Sequence, residues 1–200
     1  MDNSRLIELL RVKGFPEQII NAFAKVKREN FVPENLVAYS YEDMALPLED
    51  GSTISQPSTI AFMLSLLELK QGQKILEIGS GSGYVLALIS EIIKEGKIYG
   101  VEIIQRLAIK SKNLLQKDSN IEILNKDASK GLPEFAPYDR ILISASCPEI
   151  PYFLINQLKP NGIIVAAVKQ SIVQIKREGN NFTVKEFPGF SFVPLIGGSQ

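Results

Sequence analysis

The sequence predicts an α/β domain: a doubly wound, mostly parallel sheet, preceded by helices and followed by an antiparallel extension. Three observations carry that expectation. From residue 70 onward, short apolar runs alternate with glycines and with helical stretches of about ten residues, the pattern of βαβ units. A chain of 200 residues fits one domain. Its 45% apolar and 22% charged residues suit a core-forming chain rather than a disordered or fibrous one.

Taken in order, Leu6, Leu9, Leu10 and Lys13 fit one amphipathic helix that ends near Gly14. Phe15, Ile19, Phe23 and Val26 recur at helical spacing, with Glu17, Asn21 and Lys25 on the opposite face. Pro33 stops the helical pattern, and a loop runs through Tyr41, Asp43 and Pro47. Pro57 suits a first helical turn, so residues 58–69 read as a buried helix. Strands are expected at 74–78, 97–101, 121–124, 141–144 and 162–168, and helices at 84–94, 105–116 and 150–158. The tail alternates at 173–176, 183–186 and 191–195 around Gly179-Asn180-Asn181, which suggests antiparallel strands.

Composition excludes several function classes. The chain holds no histidine, which rules out a Ser-His-Asp triad, a Cys-His pair, a His-ligated metal and an imidazole base; no metal is expected. Lys+Arg and Asp+Glu are 22 each, a balance that argues against a nucleic-acid or membrane-surface partner. One cysteine makes no internal disulfide and suits a reducing compartment. Glu8 interrupts any signal-peptide pattern, and the uncharged stretch 51–67 is too polar and short to span a bilayer. A soluble, cytoplasmic protein is expected.

The chemistry concentrates in Leu76-Glu77-Ile78-Gly79-Ser80-Gly81-Ser82-Gly83-Tyr84, which follows a strand and opens a helix. Glycines there let backbone approach a ligand, and the helix start offers free N–H groups; a tight turn without a ligand is the bland alternative. The dinucleotide fingerprint wants Gly or Ala where Tyr84 stands. Glu77, at the strand's end, would repel a pyrophosphate and instead suits the ammonium and sulfonium charges of S-adenosylmethionine. Glu102 ends the next strand, the place for an acid that bonds ribose hydroxyls. Asp127 and Ala128 follow the third strand, where an acid can meet an adenine amino group. Three acids at three successive strand ends lie along one sheet edge, and such edges bind ligands.

These residues lie in a chain that resembles the protein-L-isoaspartate (D-aspartate) O-methyltransferases. The resemblance runs from Phe31-Val32-Pro33 to Phe192-Val193-Pro194-Leu195, and its most specific element is Thr53-Ile54-Ser55-Gln56-Pro57. Leu46-Pro47-Leu48, Ala136-Pro137-Tyr138-Asp139 and Gln157-Leu158-Lys159-Pro160 support it. It implies a Rossmann-like class I S-adenosylmethionine-dependent methyltransferase. Its domain, residues 1–200, would divide into N-terminal helices and substrate loop (1–56), cofactor-binding core (57–170) and C-terminal strands (171–200). The implied reaction is transfer of a methyl group to the α-carboxyl of L-isoaspartyl residues in damaged proteins and peptides, with D-aspartyl residues an open second acceptor. Ser55 would be the active-site residue; Ser52, Thr53, Ile54, Glu77, Gly79, Ser80, Gly81, Gly83, Glu102, Asp127 and Ala128 would bind the cofactor. The chain departs from the family pattern at Ser58, at Lys126, at Ser144-Ala145-Ser146-Cys147 and at Ala166-Ala167-Val168-Lys169.

Other readings stay open. Ser55 before a proline-led helix is also a natural N-cap. Tyr84 could cover the cofactor or the first helical turn, and Cys147 reads as a small, partly buried strand-end residue. A class I methyltransferase acting on RNA or a small molecule would share the glycine loop and the acids without needing the 53–57 segment. A carboxylate acceptor of pKa about 3.5 is already ionised near neutrality, so the transfer needs no base. The expected pH profile of kcat/KM is therefore flat from about pH 6 to 8.

Overall fold

The fold is that of a computed structural model, which describes residues 2–197; Met1 and 198–200, the ends of the expected domain and of its last section, lie outside the described residues. Helix α1 (Asn3–Val12) is capped by Asp2, whose carboxylate accepts the Arg5 N–H at 2.9 Å. Helix α2 (Glu17–Lys25) follows Pro16 and buries Ile19, Ile20 and Phe23. Two 3₁₀ turns, Arg28–Phe31 and Glu34–Tyr39, carry the chain to a small antiparallel pair, β1 (Leu46–Pro47) and β2 (Thr53–Ile54). Helix α3 (Pro57–Leu67) then starts one residue earlier than Ser58 and ends two before Leu69.

The cap of α3 differs from the simple expectation. Gln56 occupies the cap position but takes no helix N–H with its side chain, whose Oε1 accepts only the Thr59 hydroxyl at 3.4 Å. Asp43 supplies the acceptor instead, taking the Ser58 N–H on Oδ1 at 2.8 Å. Ser55 is thereby left outside the capping geometry.

Seven strands form the main sheet: β3 (Lys74–Ile78), β4 (Lys97–Glu102), β5 (Ile121–Asn125), β6 (Tyr138–Cys147), β7 (Leu158–Val168), β8 (Ser171–Glu178) and β9 (Asn181–Pro188). Their order is β5-β4-β3-β6-β7-β8-β9. Pairings from β5 through β7 are parallel, and β8 and β9 add antiparallel to that edge. Helices α4 (Tyr84–Ile93) and α5 (Gln105–Leu114) make the first two crossovers. The chain runs outward from β3 through β4 to β5, then returns to β6 on the other side of β3. That reversal places the ligand edge at the carboxyl ends of β3, β4 and β6.

Two expected elements change. The stretch 150–158 forms a 3₁₀ turn, Tyr152–Gln157, rather than an α-helix. Pro151 keeps Ile150 out of helical conformation, and Leu154 N–H bonds the Pro151 carbonyl three residues back at 3.0 Å. The segment 191–195 is not a sheet strand; it makes one parallel bridge, Pro194 with Ser146. Where the Ala166–Lys169 run departs from the family pattern, β7 passes into β8 by a tight turn with Lys169 at φ 52°.

Alternation along the strands divides the core between the two sheet faces. Ile75, Leu142, Ile163 and Val165 join α1–α4, packing among Leu6, Phe23, Leu64 and Leu88. Their neighbours Leu76, Ile141, Ile164 and Ala166 face the other way, toward Tyr138, Leu132 and Leu154. Each valine, leucine, isoleucine or phenylalanine among them contributes about 1.5–3 kcal/mol when fully buried. Tyr84 belongs to the first face: it is 2% exposed and packs against Phe31 and Phe23, with ring centroids 5.2 and 6.0 Å away. Cys147 is buried, and burial pushes its thiol up to about 11.

Arg28 is completely buried on the same side. Its guanidinium donates to the carbonyls of Ser40 (2.6 Å), Met44 (3.1 Å) and Ser55 (3.1 Å), with a longer contact to Glu42. One side chain thus pins the loop that carries β1, β2 and Ser55. Among the described residues, no helix is long and apolar enough to cross a membrane.

Candidate active site

The glycine loop turns β3 into α4 through three left-handed residues, Gly79 (φ 76°), Gly81 (φ 53°) and Gly83 (φ 85°). A non-glycine residue is strained at such angles. Gly83 has a second constraint, because an added Cβ would lie 2.9 Å from Leu115 Cδ1. The loop is held by Gly79 and Ser80 N–H groups bonding the Val101 carbonyl at 2.9 and 3.1 Å. Glu102 closes the arrangement. Its Oε2 accepts the Gly81 N–H at 2.7 Å and its Oε1 accepts the Ile104 N–H at 2.8 Å. Asn125, in register with Glu102 on β5, donates to the Glu102 and Ile103 carbonyls at 2.8 and 3.0 Å.

Around this loop lie three connected spaces. A cleft of about 240 Å³ is bordered by Ser52, Thr53, Gly79, Gly81, Glu102 and Ala128, and residues 193–196 form a further wall. A groove of about 480 Å³ opens beside Ser55 and is lined by Phe15, Phe62, Phe190 and Phe192, with Lys13 its one charged wall residue among the described residues. Thr53, Ser144 and Val193 belong to both. Behind them is a small chamber of about 40 Å³, bordered by Ile54, Ser55, Glu77 and Ser80.

Glu77 is 1% exposed. Its Oε1 accepts the Ser144 hydroxyl at 2.7 Å, while its buried Oε2 has no hydrogen-bond partner; nor has Ser80 Oγ. Burial pushes the Glu77 carboxyl up to about 8; the Ser144 bond pulls it down, and the Glu102 charge adds to the rise. The flat profile expected between pH 6 and 8 rests on unperturbed pKa values, and this buried carboxyl departs from its own. A buried carboxylate oxygen without a partner is costly and is complementary to a cationic ligand group. S-adenosylmethionine, with its ammonium and sulfonium charges, fits that donor set.

The structure thus gathers Ser52, Thr53, Gly79, Gly81, Glu102 and Ala128 on the cleft, and Ile54, Ser55, Glu77 and Ser80 on the adjoining chamber. Gly83 stands off both, against α5. Asp127 is exposed and its Oδ1 accepts the Ser129 N–H at 2.7 Å, although Lys126 and Ala128 beside it line the cleft. Sequence reasoning missed Ile103, Ile104, Ser144 and Ala145, which the strand-end rule would have reached had it been extended past the acids. No local signal points to Arg28 or to residues 193–196, whose positions depend on contacts distant in sequence.

Known proteins agree with this geometry. The protein-L-isoaspartate(D-aspartate) O-methyltransferase family model matches residues 1–200. The protein-L-isoaspartate O-methyltransferase of Methanococcoides burtonii is 42% identical over 199 residues, covering 96% of this chain and 98% of that protein. A solved protein-L-isoaspartate O-methyltransferase superposes with a TM-score of 0.89 at 27% identity, covering 98% of this chain and 66% of the other. A Plasmodium falciparum structure given the same activity, in complex with S-adenosyl-L-homocysteine, superposes at 0.84 with 23% identity over 98% and 99% of the two chains. With the family model matched along its whole length and Glu77, Glu102, the glycine loop and residues 53–56 bordering the same adjoining spaces, this chain belongs to the protein-L-isoaspartate(D-aspartate) O-methyltransferase family.

Proposed function

We propose that the chain is a repair methyltransferase that esterifies the α-carboxyl of L-isoaspartyl residues in damaged proteins and peptides, with S-adenosylmethionine as methyl donor. The observation that carries this reading is the junction of the glycine-loop cleft with an open groove at Thr53, Ser144 and Val193, beside Ser55, in a chain matched throughout by the family model. The donor, when bound, supplies an electrophilic methyl group. The protein's own residues bind and orient. Glu102 and the glycine-loop backbone face the cleft, and Glu77 offers its unpartnered oxygen to a cation. Asp127 lies exposed beside the cleft, with its Oδ1 on the Ser129 N–H.

Ser55 lines the groove with its backbone carbonyl locked by Arg28 and its hydroxyl outside the helix cap. We assign it to hold the acceptor carboxylate. A neutral hydroxyl suits that task, because the acceptor's charge falls as the ester forms and a strong cation would favour the ground state. Orientation within the groove then supplies the rate enhancement, since an ionised carboxylate needs no deprotonation. The two apolar clusters share one sheet, which supports a single methyltransferase domain, and the lone buried cysteine suits a reducing cytoplasm.

The test is methyl transfer from labelled S-adenosylmethionine to an isoaspartyl peptide and to its normal aspartyl twin. The reading expects label on the first only. Label on both, or on neither, overturns it.

A further inference from the structure

Ser144 has no part in the reading above beyond its place at the junction. It lies just past the Ile143–Ala166 pair, where the register between β6 and β7 shifts before resuming at Cys147. Such irregularities re-aim side chains at the ends of strands. Among the described residues, only Ser144 and Thr53 border the cleft, the groove and the inner chamber alike. The Ser144 hydroxyl is spent on Glu77 Oε1, at 2.7 Å, and leaves Oε2 buried with no partner.

A glutamate carboxyl turns in a broad torsional well about its last bond, so nothing intrinsic to Glu77 fixes the plane of its oxygens. The groups packed around it do not fix it either. Glu102 at the end of β4 repels it, Tyr84 on α4 is neutral, and none of the residues bordering the chamber is a cation. Among the described residues, Ser144 is the one hydrogen-bond donor to this carboxyl.

We propose that Ser144 is a positioning residue for the methyl donor: its hydroxyl fixes the plane of the Glu77 carboxyl through Oε1 and so keeps Oε2 free for the donor's cationic end. The inference rests on the reading of the cleft as the S-adenosylmethionine site. It gives a physical role to a serine inside one of the two runs that depart from the family pattern. Only ionised Glu77 is complementary to a cation, and the Ser144 bond favours the ionised form against burial. Removing the hydroxyl therefore moves ionisation to higher pH as well as loosening the carboxyl.

The experiment is calorimetric titration with S-adenosylhomocysteine from pH 6 to 8.5 on the wild type and on Ser144→Ala, Ser144→Val and Ser144→Thr. Wild-type affinity should rise with pH through 8 and only begin to level off at 8.5. Ala and Val should bind about tenfold more weakly at pH 7, and the deficit should narrow to about threefold at pH 8.5 as Glu77 ionises. Thr, which keeps the hydroxyl, should stay within about twofold throughout. Val and Thr are close in shape, so their divergence isolates the hydroxyl even if Ala folds poorly. A deficit of constant size at every pH, or Val and Thr behaving alike, overturns the proposal. A wild type that binds no S-adenosylhomocysteine at any pH overturns the donor reading itself, and this inference with it.

Discussion

Glu77→Gln exchanges a buried, half-bonded carboxyl for a neutral side chain of nearly the same shape, and it should separate stability from function. In the folded protein burial raises the Glu77 carboxyl from 4.5 to about 8. The sign follows from proton linkage. Between those pH values the folded state keeps a proton that the unfolded state has lost, so stability is full below about pH 4.5 and falls as pH climbs through 8. A rise of that size corresponds to on the order of 3–5 kcal/mol at pH 8, lost at no more than about 1.4 kcal/mol per pH unit. For a chain of this length each kcal/mol moves Tm by roughly 2–4 °C, so wild-type Tm should drop by roughly 6–15 °C from pH 5 to 8 on this account alone. The glutamine variant lacks the term. It carries its own pH-independent penalty of about 1–3 kcal/mol, because an amide donor replaces the unpartnered Oε2.

The two melting curves should therefore cross: the variant is level with or below wild type at pH 5 and at or above it at pH 8. Differential scanning calorimetry in buffers of low temperature coefficient reads this directly, and the wild-type-minus-variant difference cancels every other titrating group. Added S-adenosylhomocysteine should lift wild-type Tm at pH 8 and lift the variant less. A difference curve that is flat from pH 5 to 8 would refute the reasoning, since Glu77 would then be neither strongly desolvated nor raised.

Other perturbations test neighbouring links. Ser55→Ala should leave S-adenosylhomocysteine affinity within about twofold and lower kcat/KM for an isoaspartyl peptide by about tenfold or more, as a hydrogen bond to a charged group is lost; Tm should hold, because Asp43 rather than Ser55 caps α3. Glu102→Gln should weaken S-adenosylhomocysteine by about 1–3 kcal/mol in calorimetry and also lower Tm, because both carboxylate oxygens accept backbone N–H groups. Arg28→Met should destabilise by roughly 3 kcal/mol or more in urea melts, and Arg28→Lys should not restore it, since one ammonium cannot serve carbonyls spread from Ser40 to Ser55. At saturating cofactor, log kcat/KM for a peptide without a free amino terminus or histidine should be flat from about pH 6 to 8.5, whereas kcat/KM for S-adenosylmethionine should climb as Glu77 ionises.

The reach of local pattern is visible in particular residues. Glu77, Gly79, Gly81 and Glu102 were legible because parallel strands must end in loops along one edge, and residues there have few other places to go. The helix expected at 150–158 failed in part for a nearby reason: apolar spacing looked helical, while Pro151 disfavours a helical Ile150 and residues 152–157 form a 3₁₀ turn. Ser55 could be read as a cap or as a site residue from spacing. The cap reading fails on Asp43, twelve residues upstream, whose carboxylate takes the Ser58 N–H.

By itself, the sequence determined the fold class, the position of the glycine loop, the acids that flank it and the exclusion of histidine chemistry. Those follow from periodicity, turn geometry and composition, which act over a few residues or over none. Only the tertiary structure decided which polar atoms lose their water. Burial made Glu77 a group that titrates near pH 8, aimed Ser144 at it across 67 residues of chain, and gathered the carbonyls of Ser40, Met44 and Ser55 on the one buried guanidinium of Arg28. Desolvation depends on everything packed around an atom, and no short window of sequence contains its neighbours.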